Sequence, residues 1–126
     1  MGDDRRRGYQ DLIAWRKGMD LAETVYRLTK NWPREEIYGL TSQIRRAAVS
    51  VPANVAEGQG RSSAKEFAQF LSIANGSLSE VETYLVLARR LGYVDAAASE
   101  TAIQLASEIG RILQGLLRTV RRPSTA

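Results

Sequence analysis

The side chains able to do chemistry in this chain are carboxylates, guanidiniums, hydroxyls and amides. It carries 14 Asp and Glu, 18 Lys and Arg, and no histidine or cysteine. Without histidine the commonest general base near neutral pH and the usual metal ligand are missing. Without cysteine there is no thiolate nucleophile, no disulfide and no thiolate metal site. Ser-His-Asp and Cys-His arrangements cannot be built, nor can the inward Glu-x-x-His pairs of di-iron bundles. The closest carboxylate pairs, Glu35-Glu36 and Glu80-x-Glu82, sit one or two apart, so the partners do not share a helix face. These residues point to a protein that is not an enzyme and needs neither cofactor nor metal.

Binding chemistry is better represented. Gln43, Arg46, Ser50, Asn54 and Glu57 recur at spacings of 3, 4, 4 and 3. At about 100° per residue they form one narrow polar stripe beside an apolar one. Partly buried polar groups must find partners, so the stripe reads first as a network fixing bundle or subunit packing, and second as a ligand or RNA site. In that network Arg46 and Glu57 join Ser50 and Asn54, and Asn54 serves backbone groups freed around Pro52. Arg45 projects to the other side, towards solvent. Arg111, Arg118 and Arg122 make a ridge, with Arg121 beside it. Arg45, Arg111, Arg118, Arg121 and Arg122 are therefore the candidate phosphate contacts. The competing reading of the late arginines is ordinary: cations near a helix C-terminus suit its dipole. Gly58-Gln59-Gly60 before a helix has the look of an anion-binding loop, but no strand precedes it and a plain turn is favoured.

The elements that would hold these residues are all helical. Three prolines and two Gly-containing breaks separate four segments with a three-four apolar period. The first, from about Asp11 to Asn31, carries Leu12, Trp15, Met19, Ala22 and Tyr26 on one face. Leu21, Val25 and Leu28 lie roughly opposite. A helix apolar on two faces needs two partners, so these three residues are the candidate oligomer or partner face. The second segment starts after Trp32-Pro33 and runs to about Glu57, with Ile37, Leu40, Ile44, Ala47, Val51 and Val55 inward. Gly39 interrupts its first turn, and Pro52 removes a backbone donor inside it. Ser63-Ala64-Lys65-Glu66 is a capping box opening the third helix. There Phe67, Leu71, Ala74, Leu78, Val81, Leu85 and Ala88 form the clearest seam, unbroken across Asn75-Gly76. Gly92 ends it and Asp95 caps the fourth, whose inward residues are Ala102, Leu105, Ile109, Leu113, Leu116 and Val120.

The reading is one all-α domain, an antiparallel up-down four-helix bundle over residues 11–120. Residues 1–10 are expected to be a disordered arm and residues 121–126 a disordered basic tail. The length of 126 residues fits one domain, and 44% hydrophobic with 25% charged residues is ordinary for a globular protein. No apolar run approaches the roughly 20 residues a membrane span needs. The charged start (Asp3, Asp4, Arg5, Arg6, Arg7) is unlike a signal peptide, so no membrane role and a cytoplasmic location are expected. A net charge of +4 favours polyanions without demanding them.

Three strings carry a resemblance: Trp32-Pro33-x-Glu35-x-x-Tyr38-Gly39-Leu40; Gln43-Ile44-Arg45-Arg46-Ala47-Ala48-Val49-Ser50-Val51-Pro52-x-Asn54-Val55-Ala56-Glu57-Gly58; and Glu66-Phe67-x-x-Phe70-Leu71-x-Ile73-Ala74-x-Gly76-Ser77-Leu78-x-Glu80. Over residues 9–120 the chain resembles the four-helix-bundle family first noticed in intervening sequences of large-subunit ribosomal RNA genes. That family is similar in fold to the accessory variability determinant of diversity-generating retroelements. The resemblance implies a homo-oligomeric ring, typically a pentamer, and adds Ile73, Tyr84 and Leu87 to the candidate oligomer face. It also implies nucleic acid, RNA or DNA, and a reverse transcriptase as partners. The competing function is a protein-interaction adaptor that does not touch nucleic acid.

Overall fold

The computed structural model describes residues 2–121, with side chains from Leu12 onward. Four helices account for most of them: α1 (Gly2–Thr29), α2 (Leu40–Gln59), α3 (Ala64–Arg90) and α4 (Ala96–Arg121). A short 3-10 turn, Arg34–Glu36, precedes α2, and no strand occurs among the described residues. The α2–α3 and α3–α4 links are too short to run back along a helix, and the α1–α2 link is shortened by its 3-10 turn, so sequence neighbours pack antiparallel. α1 and α3 each pack on both α2 and α4, while the diagonal pairs make no close backbone approach. That is a four-helix bundle.

Local chemistry sets the helix ends. The Ser63 hydroxyl accepts the Glu66 N–H at 3.1 Å, so the serine half of the expected capping box forms. The Asp95 carboxylate accepts the Ala98 N–H at 2.7 Å and opens α4. α3 stops because Gly92 adopts φ 80°, which lets Tyr93 N–H reach Ala88 O at 2.9 Å and Gly92 N–H reach Arg89 O at 3.1 Å. Glu36 works harder than its sequence position suggests. One carboxylate oxygen accepts the Leu40 N–H at 3.1 Å and the other the Tyr93 hydroxyl at 2.8 Å, tying the start of α2 to the α3–α4 turn.

The core follows the expected seams in α3 and, from Leu40 on, in α2. In α4 the buried set gains Ser99, Ala106 and Leu117, while Leu105 and Val120 are only half-buried against it. α1 departs from expectation. Leu21 and Val25 are fully buried with Ala14, and Leu28 packs against them, so this trio is core and not an oligomer face. The exposed face is the other one, with Leu12, Met19 and Tyr26. The reason is a close approach: a Cβ on Gly18 would sit 3.2 Å from Pro52 side-chain atoms, so the Ala14–Gly18–Leu21–Val25 side turns towards α2. Ile37 is also corrected. α2 begins at Leu40, so Ile37 falls outside its phase and is exposed.

Two boundaries differ as well. Residues 2–10, expected as an arm, continue α1. No proline interrupts that stretch, and Asp3 and Asp4 are the residue types that suit a helix start. Arg121 belongs to α4, and the remainder of the expected tail lies outside the described residues. No helix among the described residues is long and apolar enough to cross a membrane.

Candidate nucleic-acid interface

Helix phase sorts the candidate arginines into three kinds. Arg111 and Arg118 are exposed on the outer face of α4 and make no ion pair among the described residues. Arg111 lies beside Glu108, but Glu108 is held by Lys17 of α1 at 2.7 Å, which leaves the guanidinium charge uncompensated. Arg121 is also exposed. It donates to the Ser72 hydroxyl at 3.1 Å and shares a shallow depression with Lys65 and Gln69 at the α3 end. One end of the bundle thus gathers Lys65, Arg118 and Arg121.

Arg45 is a different case. It does not reach free into solvent. Its Nε donates to the buried Thr29 hydroxyl at 2.8 Å, and its guanidinium lies 4.5 Å from the Tyr26 ring centroid. Arg45 is a clamp between α1 and α2, because Thr29 and Tyr26 end the helix packed beside it. Arg122 lies outside the described residues.

The polar stripe of α2 meets α3 across a groove. Gln43 faces Tyr84, whose hydroxyl donates to the Gln43 amide oxygen at 2.9 Å. Ser50 faces Ser77, hydroxyl to hydroxyl at 2.9 Å. That antiparallel register sets Arg46 opposite Glu80. Asn54 donates to both the Ser50 hydroxyl and the Ser50 carbonyl at 2.8 Å. It does not serve the carbonyl freed by Pro52, which belongs to Ala48, four residues earlier. The expected network therefore forms only around Ser50 and Asn54, and three members stay out of it. Gln43 bonds Tyr84 separately. Glu57 pairs with Arg61 at 3.0 Å, and Arg46 is exposed without a hydrogen bond or ion pair among the described residues. An open groove of about 490 Å³ remains, lined by Tyr38, Ser42, Arg46, Ser77 and Glu80 among others.

Of Ile73, Tyr84 and Leu87 on α3, Tyr84 lines this groove. Ile73 and Leu87 are exposed and Tyr84 is half-buried. Burial pushes the Tyr84 phenol up, and the neighbouring Glu80 carboxylate adds to the shift, so the hydroxyl stays a donor well into alkaline conditions. In the sequence, Gln43 to Glu57 stand out as one group and Ile73, Tyr84 and Leu87 as another. Spacing within single helices cannot show that Gln43, Arg46 and Ser50 of the first share one groove with Tyr84 of the second. Tyr38, Ser42 and Ser77 are site residues that the sequence patterns did not mark. Ser77 and Glu80 follow Ile73 at spacings of four and three, and that pattern was the available signal.

The sequence profile of the 23S rRNA-intervening sequence proteins matches residues 10–115. The chain belongs to this family. No curated protein matches it in sequence. It is similar to a crystal structure described as a protein of unknown function from the S23 ribosomal protein family of Bacteroides thetaiotaomicron VPI-5482. The two share 25% identity with a TM-score of 0.80, over 86% of this chain and 98% of that one.

Proposed function

We propose that this family member is a non-enzymatic, cytoplasmic, homo-oligomeric scaffold, a ring of five subunits, that binds nucleic acid as an accessory to a reverse transcriptase. The observation that carries the reading is the uncompensated charge of Arg111 and Arg118 on the outer face of α4, continued by Arg121 and Lys65 at one bundle end. The family's name ties its members to 23S rRNA intervening sequences, which supports RNA as the first polymer to test. Assembly matters because each subunit repeats the same cations, and phosphate contacts add up across a ring.

The self-association face supported best is the exposed apolar one of α1 and α2. Gly18 against Pro52 and Arg45 over Tyr26 set the register of the two helices. Met19 then lies alongside Val49, in one patch with Leu12 and Tyr26. The same patch favours a second reading, an adaptor that docks a protein partner and leaves nucleic acid alone.

The test is binding of labelled single-stranded RNA and duplex DNA across a salt series, with Arg111→Glu/Arg118→Glu beside the wild type. The expected result is wild-type binding that falls steeply with salt, and a variant with normal helicity that binds far more weakly. On a single strand, the slope of log affinity against log salt should shrink by about 0.7 for each phosphate that no longer meets an arginine. Wild-type affinity and slope in the variant would remove the α4 face from the interface. No binding by the wild type would leave the adaptor.

A further inference from the structure

We infer that the α2–α3 groove is a ribonucleotide pocket that seats one residue of a single-stranded RNA, a reading that rests on the proposed nucleic-acid function and gives it a second contact point. Three features converge on this ligand.

Tyr38 is 95% exposed, on the turn just before α2, and its ring stands at the mouth of the groove. An aromatic ring left this open in the free protein has its whole face available to a base, and stacking on such rings is how single strands are held without regard to sequence. Groove volume is of the right order for one nucleotide, at about 490 Å³.

Second, the groove is rich in donors that the protein leaves unused. Arg46 offers its guanidinium with no internal acceptor among the described residues. Tyr84 bonds the Gln43 amide oxygen, and the Gln43 amide nitrogen makes no hydrogen bond among the described residues. The Ser50 hydroxyl beside them is already bonded to Asn54 and Ser77 and holds the groove floor in place. Such a set suits the oxygens of a phosphate better than any apolar or cationic ligand.

Third, one acceptor faces these donors. Glu80 lies opposite Arg46, and its only internal bond among the described residues is a long one from Tyr84 at 3.4 Å. A carboxylate there accepts a ribose 2′-hydroxyl, the group that separates RNA from DNA. It also repels an unassisted phosphate, so the phosphate belongs on the Arg46 side and the sugar on the Glu80 side.

The experiment compares fluorescein-labelled ten-nucleotide oligo(rU) with oligo(dU), for the wild type and for Tyr38→Ala, Arg46→Ala and Glu80→Ala. Tyr38 and Arg46 are exposed, so these variants should keep wild-type helicity and melting, which circular dichroism checks. The expected result for Tyr38→Ala is roughly tenfold weaker binding of oligo(rU), the loss of one stacked base, at an unchanged salt slope. Arg46→Ala should weaken binding and reduce the slope. Glu80→Ala should erase the preference for oligo(rU) over oligo(dU). Wild-type affinity in both Tyr38→Ala and Arg46→Ala, with binding still abolished in Arg111→Glu/Arg118→Glu, overturns the pocket and leaves the proposed function standing. A wild type that binds neither oligonucleotide overturns both.

Discussion

Glu36 bonds with both oxygens of one carboxylate, and both bonds favour its ionised form. The Leu40 N–H and, next, the Tyr93 hydroxyl hold its pKa below the ordinary carboxylate range. A lowered folded pKa contributes stability above the unfolded value, and that contribution is lost as pH falls through the folded one. Tyr93 works in the opposite sense. Its bond to Glu36 raises the phenol pKa, so its contribution is present below the ordinary value of about 10 and is lost as pH rises through the folded value. The latch is intact between these limits. Glu36→Gln should therefore be less stable than the wild type at pH 7, with the gap closing as the wild-type carboxyl protonates in acid. Urea midpoints from pH 2.5 to 8 check this, and a constant gap would mean that the ionised carboxylate adds nothing. At this scale the sequence is legible where the partner is local. Ser63 and Asp95 bond within their own helix starts, and spacing found both. Arg45 was misplaced because Thr29 and Tyr26 reach it from another helix, and no spacing within α2 encodes them.

Glycines carry most of what was hard to read in the helices. Gly58 is buried in α2, and a Cβ there would stand 2.7 Å from Phe67 Cδ1 and 3.0 Å from Phe70 Cβ. Phe67 is fully buried and has nowhere to move. Replacing Gly58 by Ala gains helix propensity of up to about 1 kcal/mol. Overpacking costs about 1–3 kcal/mol, so the net effect should be destabilising. Gly76 gives the contrast. It is exposed within α3, and a Cβ there meets nothing within 4 Å. Gly76→Ala should stabilise by about 0.5–1 kcal/mol. Urea denaturation of the pair checks opposite signs for the same chemical change, and equal signs would refute the packing argument at Gly58. The seam of α3 is fully legible because its apolar period is unbroken over three heptads, whereas the second series through Ile73, Tyr84 and Leu87 is interrupted by Ser77 and Glu80. α1 offered two apolar faces, and periodicity cannot choose between them. Gly18 against Pro52 makes the choice, and that contact lies between elements far apart in sequence.

For the molecule as a whole, some of the large exposed apolar residues fall together on two adjacent helices, while Ile73, Val86 and Leu87 lie on α3 and Ile37, Tyr38 and Leu91 on the turns. Leu12, Met19 and Tyr26 repeat every seventh residue along α1, and Val49 extends the patch onto α2. Isolated exposed apolar groups need no explanation, but a contiguous stripe on two adjacent helices is what a buried interface leaves when its partner is removed. Arg45, clamped over Tyr26, borders the patch with a cation whose stem and ring both present flat apolar surface. Leu21 and Val25 cannot play this part, since reaching a neighbour would mean opening the bundle. Met19→Glu/Val49→Glu puts two carboxylates at the centre of the patch while leaving every fully buried residue in place. In the isolated subunit both positions already face water, so helicity and urea midpoint should change little. In the assembly, each buried carboxylate would lack a partner, and that cost repeats at every interface. The expected outcome is a solution mass that falls from an oligomer to the 14.0 kDa of one chain. Nucleic-acid affinity should fall with it if the cations of several subunits act together. An unchanged mass would move assembly to another face, and the apolar stripe would then stand as the docking surface of the adaptor reading. A monomer that bound RNA as tightly as the wild type would show that one subunit's arginines and groove suffice.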